Sequence, residues 1–242
     1  MFHTIRQGTL EYLTADALEG SIHCFSTRHG GVSGGVLSSL NLGTHRGDLP
    51  ENVRENYRIL GAAAGFTPEE TVFTRQEHTD CLVRVGKADR GTGLDREQTV
   101  VCDGILTDEP DVALVCFGAD CTTILLYDPV HPAIAAVHAG WRGTASGIVL
   151  KALVTMMSLY GADPYTMRAA IGPAIGKCCF ETDGDVADAF HELMDPAVDE
   201  RIERRGDKYH IDLKSINRLW LLRSGLDPSR IDVRSEEHTS EL

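Results

Sequence analysis

Three side chains in this sequence close apolar runs or the loops beside them: His78 in TRQEHTD, Cys121 in FGADCTT and His138 in AVHAGWRG. Two imidazoles and a thiolate make a zinc set of the catalytic kind, in which three protein ligands leave one tetrahedral position for water or substrate. Spacing along the chain does not bring them together, because none lies at the short intervals of a zinc finger or of HExxH. Cys121 and His138 also allow a thiolate nucleophile with an imidazole base, for which Asp103 or Asp120 could orient the ring. A third reading gives Cys121 a buried apolar place, the commonest fate of a cysteine, and makes both histidines satisfied structural residues.

Other groups add weaker signals. Arg28 and His29 stand beside the glycine pairs of STRHGGVSGG, where backbone amides and a guanidinium could receive an anion, with a plain surface turn as the alternative. The same loop holds a GxSxG match at residues 31–35, but VLSSLNLG behind it does not open a helix as a nucleophile elbow requires. Arg142 either binds an anion or pairs with a carboxylate, and Trp141 either stacks on a planar ring or fills the core. Cys178, Cys179 and Glu181 lack metal spacing and read as wall residues, while His45, His131, His191 and His210 read as structural. There is no P-loop, no HExxH and no HxE with PCxxC, which excludes the common zinc-protease and cytidine-deaminase layouts.

The elements that must position these residues follow from patterning. Residues 48–65 predict a helix, with Pro50 near its start and Val53, Tyr57 and Leu60 at helical spacing. The stretches VALVCFGADCTTILLYDP and AIAAVHAGW, separated by DPVHP, are apolar on both faces and predict central, doubly covered strands. TASGIVLKALVTMMSLYGADP predicts an amphipathic helix with Met156 and Met157 as core filler. Strand, turn and helix signals continue through RAAIGPAIGKCCFE, GDVADAFHEL and KYHIDLKSINRLWLLRSGL. Strands mixed with helices in irregular order favour an α+β, mixed-sheet architecture over a regular βαβ repeat.

Bulk properties bound the function. The chain has 242 residues, 42% hydrophobic and 24% charged, enough for a single domain with a sizeable core. Its net charge of −13 argues against a polyanion-coating surface, so small molecules rather than nucleic acid are the expected ligands. Seven cysteines, an odd number in a chain too long to need disulfide staples, point to a reducing, cytoplasmic compartment. No window approaches a membrane span and no secretory leader is visible at the N-terminus. The last residues, RSEEHTSEL at 234–242, break the pattern and match the translation of a common sequencing adapter. The expected division is a catalytic domain over 1–233 and a non-native tail over 234–242.

Taken together, STRHGGVSGG, SLNLGTHRGD, TRQEHTD, GADCTTILLYDP, AVHAGWRGT and IGPAIGKCCFE resemble, in order, the bacterial YfiH/YlmD family, formerly called laccase-like or polyphenol oxidase. The resemblance runs over about residues 21–214. It implies a four-layer α/β/β/α fold related to cysteine-hydrolase-like toxins. It also implies a purine nucleoside phosphorylase acting on adenosine, inosine and methylthioadenosine, with adenosine deaminase activity and an active-site zinc. The family's ligands fall on His78, Cys121 and His138. On this reading Arg28 is the first choice for holding phosphate or ribose oxygens and Arg142 the second. Asn41 and Gln76 would contact base or sugar, and Asp103 or Asp120 would move protons. The expected partners are purine nucleosides and phosphate, with no nucleic acid, no membrane and a monomeric state. The family usually continues with a cysteine-containing strand and an Arg-rich end that this sequence lacks. Three readings compete: a copper-dependent polyphenol oxidase, a Cys121–His138 amide hydrolase editing a cell-wall precursor, and a non-enzymatic binding module whose zinc is closed by Cys179.

Overall fold

In the computed structural model, which describes residues 1–234, a hairpin of β1 (Phe2–Gln7) and β2 (Leu10–Ala15) opens the chain, and β3 (Phe25–Ser26) extends it antiparallel. The expected tail therefore lies, from residue 235 on, outside the described residues. Helix α1 (Pro50–Ala64) starts on proline and ends at Gly65, whose φ of 104° is the left-handed value a helix C-cap favours. Val53, Tyr57 and Leu60 are buried as its spacing predicts, and the wholly buried Asn56 shares their face.

The next strands are short: β4 (Thr71–Phe73), β5 (Leu82–Arg84), β6 (Gly104–Thr107) and β7 (Ala113–Val115). The two long ones are β8 (Thr122–Asp128) and β9 (Ala133–Ala139). Here the first apolar run departs from the sequence-based expectation. Its leading VALV segment is the separate strand β7, paired in parallel with β4 in a two-stranded sheet, and only TTILLYD becomes a central strand.

After β9 come α2 (Trp141–Ala145), α3 (Ile148–Tyr160) and β10 (Arg168–Ile171). The single helix expected from Thr144 onward is thus two, because Gly147 adopts a left-handed conformation between them. Met156 is fully buried, as expected, whereas Met157 turns outward and is 42% exposed. The remainder is β11 (Glu181–Thr182), α4 (Gly184–His191), α5 (Pro196–Asp199), β12 (Ile202–Arg205), β13 (Lys208–Ile211), α6 (Leu213–Arg223) and β14 (Ile231–Val233).

A mixed six-stranded sheet, ordered β14-β10-β8-β9-β6-β5, organises the molecule. Alternation along its strands divides two cores. Ile124 and Leu126 of β8 and Ala135 and Val137 of β9 face α3 and α6 in the largest apolar cluster. Leu125 and Ala136 face the other way, toward Val72, Val112 and Leu114 around the small β4-β7 sheet. The N-terminal sheet also covers this second face, through Leu13, Phe25 and Leu18 against Ala170, and α1 packs beyond it on Leu10, Tyr12 and Leu40. The order is helices, six-stranded sheet, small sheets and α1, the α+β arrangement of four layers.

A candidate metal centre at the ends of three strands

Register explains how residues far apart in sequence meet. In the β8/β9 pair Thr123 lies opposite His138, and Cys121, two residues before Thr123, shares its face. On the other flank β6 pairs Gly104 with Val137, so Asp103 falls beside His138, whose amide donates to the Asp103 carbonyl at 2.7 Å. All three point away from the helices, toward the second core. His78 comes from the loop after β4 and takes a left-handed φ of 59°.

The ligand atoms of His78, Cys121 and His138 lie within 4.8 Å of one another, and the two imidazoles meet edge to face at 5.0 Å. Among the described residues this group stops at three. Cys179 is not part of it; it sits exposed beside Cys178, their sulfurs 3.2 Å apart.

Asp103 builds the site from below. Its wholly buried carboxylate accepts from the amides of Glu77, His78 and Thr79 at 3.2, 3.0 and 2.8 Å, and from the Thr79 hydroxyl at 2.7 Å. It also accepts from His138 Nδ1 at 2.8 Å, which fixes that ring and leaves Nε2 as its lone-pair atom. One carboxylate therefore sets both the His78 loop and the His138 ring. Burial works to raise its pKa, but the Thr79, His138 and Glu77 hydrogen bonds outweigh burial and hold it below the ordinary carboxylate value. Burial pushes the His138 imidazole down against the pull of Asp103, which favours the neutral, metal-competent ring. The Cys121 thiol is pushed up by burial and by Asp120 and Asp103, which keeps the sulfur protonated until a cation arrives to hold it.

The backbone around the group is shaped for it. A Cβ on Gly140 would stand 2.9 Å from His78 Cδ2, 3.2 Å from Cys121 Sγ and 3.7 Å from His138 Cε1, so glycine spares His78 and Cys121 a crowded neighbour. Two imidazoles and a sulfur on a neutralised framework, with an oriented ring and an uncrowded apex, fit a zinc ion held by three protein ligands. Thr79 and Gly140 were not singled out from sequence. Their adjacency to His78 in EHTD and to His138 in HAGW was the available signal.

The three side chains open onto a cleft of about 2110 Å³ whose wall includes Arg28, Asn41, Gln76 and Asp120. The structure uses several of these internally. Gln76 accepts from the Phe117 amide at 2.6 Å and donates to its carbonyl at 2.8 Å, tying the His78 loop to the segment that leads to Cys121. Asn41 donates to Asp48 at 3.0 Å and accepts from the Gly43 amide. Arg28 donates through Nε and Nη2 to the Ser38 carbonyl, at 3.1 and 2.8 Å, leaving its other N–H groups. Asp120 is exposed, and its carbonyl accepts from the Ile175 amide at 2.9 Å. Arg142 does not line the cleft; it lies 4.2 Å over the Trp141 ring, which packs partly against the helix-side core.

The amides of the first glycine pair and its neighbours, expected as an anion cradle, are engaged within the protein. Gly30 and Gly31 donate to Ser39 Oγ, Val32 to Asn56 Oδ1 and His29 to Thr27 Oγ1, so these amides are consumed. Gly30 and Gly31 serve close packing: a Cβ on Gly30 would stand 2.2 Å from Leu10 Cα and one on Gly31 2.3 Å from the Ser39 carbonyl. Ser33 of the GxSxG match is buried, bonded to Asp48 and Asn56.

Comparison with known proteins gives the family and the fold. A family model described as multi-copper polyphenol oxidoreductase laccase matches residues 22–241. The purine nucleoside phosphorylase YlmD of Geobacillus stearothermophilus is 38% identical over 229 residues, covering 93% of this chain and 83% of that protein. The purine nucleoside phosphorylase YfiH of Escherichia coli is 34% identical over 209 residues, covering 86% and 81%. The crystal structure of YlmD from Geobacillus stearothermophilus superposes with a TM-score of 0.89 at 36% identity, over 98% of this chain and 89% of that one. By family model, sequence identity and fold alike, the chain belongs to the YfiH/YlmD family.

Proposed function

We propose that this chain is a zinc-dependent purine nucleoside phosphorylase acting on adenosine, inosine and methylthioadenosine, with adenosine deaminase activity at the same site. The observation that carries the reading is the His78, Cys121 and His138 group opening onto the cleft, in a chain whose relatives bear the phosphorylase name. His78, Cys121 and His138 would hold the ion. When bound, zinc supplies Lewis-acid polarisation at a substrate or water oxygen.

The protein's own groups divide the remaining work. In phosphorolysis a phosphate oxygen bonds to the ribose anomeric carbon as the bond to the purine nitrogen breaks; the electron pair leaves with the base, which takes up a proton. Arg28, held at Ser38 through Nε and Nη2, would grip phosphate with its remaining N–H groups, and the fixed plane of its guanidinium suits two oxygens at once. Asp120 suits the proton at the base nitrogen, because it is exposed in the cleft wall immediately before Cys121. Asp103 is buried with both oxygens engaged, which suits orientation rather than proton transfer. Asn41 and Gln76 shape the wall through loop bonds, and Arg142 is left outside it. A multicopper oxidase needs more imidazoles than this group provides, so the family's older description does not fit one three-ligand cluster.

The test is phosphate-dependent release of adenine and ribose 1-phosphate from adenosine, with phosphate-independent formation of inosine and ammonia measured separately and His138→Ala alongside. Base release that needs phosphate, and inosine formation that does not, both vanishing in the variant, support the reading. A folded, zinc-loaded protein that leaves nucleosides intact contradicts it.

A further inference from the structure

We infer that Thr144 is a positioning residue for the metal centre, and that α6 grips the centre through it from the opposite face of the sheet. This rests on the metal-binding reading above. The Asn217 side-chain amide, fully buried on α6, donates to Thr144 Oγ1 at 2.9 Å, and that hydroxyl lies 3.3 Å from the Ala139 carbonyl, to which it donates. Trp220 Nε1, also on α6, donates to the Thr144 carbonyl at 3.1 Å. The Thr144 amide in turn donates to the Gly140 carbonyl at 2.8 Å. Amide, hydroxyl and carbonyl of this one residue thus join α6 to Ala139 and Gly140, the two residues that follow ligand His138.

Those two residues set the apex. Gly140 packs against all three ligands: a Cβ there would clash with His78, press on Cys121 and touch His138, so its displacement is felt across the group. The same short helix also leans on the His78 loop: a Cβ on Gly143 would stand 3.2 Å from the Thr79 carbonyl and 3.7 Å from the His138 carbonyl. Helix α2 is therefore wedged between the ligand-bearing segments in front and α6 behind. The hydroxyl at 144 must accept from Asn217 and donate to Ala139 at once, which serine can do and valine cannot. Fully buried, that chain of hydrogen bonds gains from low dielectric and loses heavily when one member is removed.

The experiment titrates metal-stripped protein with Co²⁺, reading affinity from the thiolate charge-transfer band and geometry from the d–d bands, beside melting of each apoprotein. Thr144→Val is expected to weaken Co²⁺ binding by roughly tenfold to a hundredfold and to shift the d–d bands, as loss of an outer orienting partner does. Thr144→Ser is expected to restore both. Trp220→Phe, which keeps a ring in place and removes only the Nε1 donor, is expected to weaken binding less and carries the test if Thr144→Val does not fold. Wild-type affinity and spectrum in Thr144→Val or, in that event, in Trp220→Phe, with only the apoprotein melting point lowered, would reduce these contacts to structural ones and overturn the inference alone. Failure of the wild-type protein to bind either Co²⁺ or Zn²⁺ would overturn the metal reading and this inference with it.

Discussion

Two carboxylates, Asp103 and Asp48, each gather one wall of the cleft, and they do so in opposite ways. Asp103 accepts from three loop amides, the Thr79 hydroxyl and the far nitrogen of His138, so it fixes backbone and ring while the ligand atoms stay free. Asp48 accepts from Ser33, Asn41 and Asn52 side chains and from the Leu49 amide, so the polar groups of the glycine-rich wall are spent on one another. Asn56 extends that closure by binding Val32, Ser33 and the Asn41 carbonyl. A hub that leaves its clients' chemistry exposed builds a reactive centre, whereas one that consumes it builds a wall. Counting which atoms remain unspent separates the two, and residue type alone does not.

The contrast breaks most sharply at the ligands. Cys121→Ala is expected to lose bound zinc and to drop phosphorolysis to background, with metal content by elemental analysis and base release as the readouts. Next in size is Asp103→Asn. Its amide must face donors on every side, and leaving them unpaired should cost about 2 kcal/mol or more of stability while weakening zinc binding about tenfold or more. Denaturant unfolding and metal competition measure the two effects, and an unchanged zinc affinity would remove Asp103 from the centre.

In the glycine-rich loop, Gly30→Ala should destabilise by more than about 1 kcal/mol, since φ is 95° and the new methyl meets the Leu10 backbone. Zinc affinity and the phosphate KM should stay near wild type. A raised phosphate KM at unchanged melting temperature would make the loop an anion cradle. The smallest effect is that of Asp48→Asn. Hydrogen bonds from Ser33, Asn52 and Asn41 hold the Asp48 carboxyl down to about 2, against 3.8 for the free group. A depressed carboxylate contributes stability that is full above its unfolded value and is lost as pH falls through its folded value. The melting-temperature gap between wild type and Asp48→Asn should therefore be constant above about pH 5 and should narrow below about pH 4. A gap independent of pH would show that the charge plays no part.

How far the sequence could be read follows the same division. The apolar runs identified β8 and β9 as central because both faces are covered, and the family motifs brought His78, Cys121 and His138 into one group. What periodicity could not supply was register, which depends on β6 lying beside β9 and so places Asp103 under His138. Asp103 was legible as a nearby carboxylate, but its saturation by amides of residues 77–79 is a property of the folded loop. The first glycine pair after Arg28 was ambiguous because glycine marks close approach without saying to what, and Gly30 approaches the protein's own Leu10. Arg142 stood in a persuasive motif, yet the helical turn that begins at Trp141 carries it onto that ring and out of the cleft wall.

The most direct test of the central claim is ribose 1-phosphate formation from inosine by metal-stripped protein, before and after restoring one equivalent of zinc, across a phosphate titration. The account predicts no product from the stripped protein, recovery with zinc, and saturation with phosphate. Equal turnover by folded, stripped protein, or base release independent of phosphate, would contradict it.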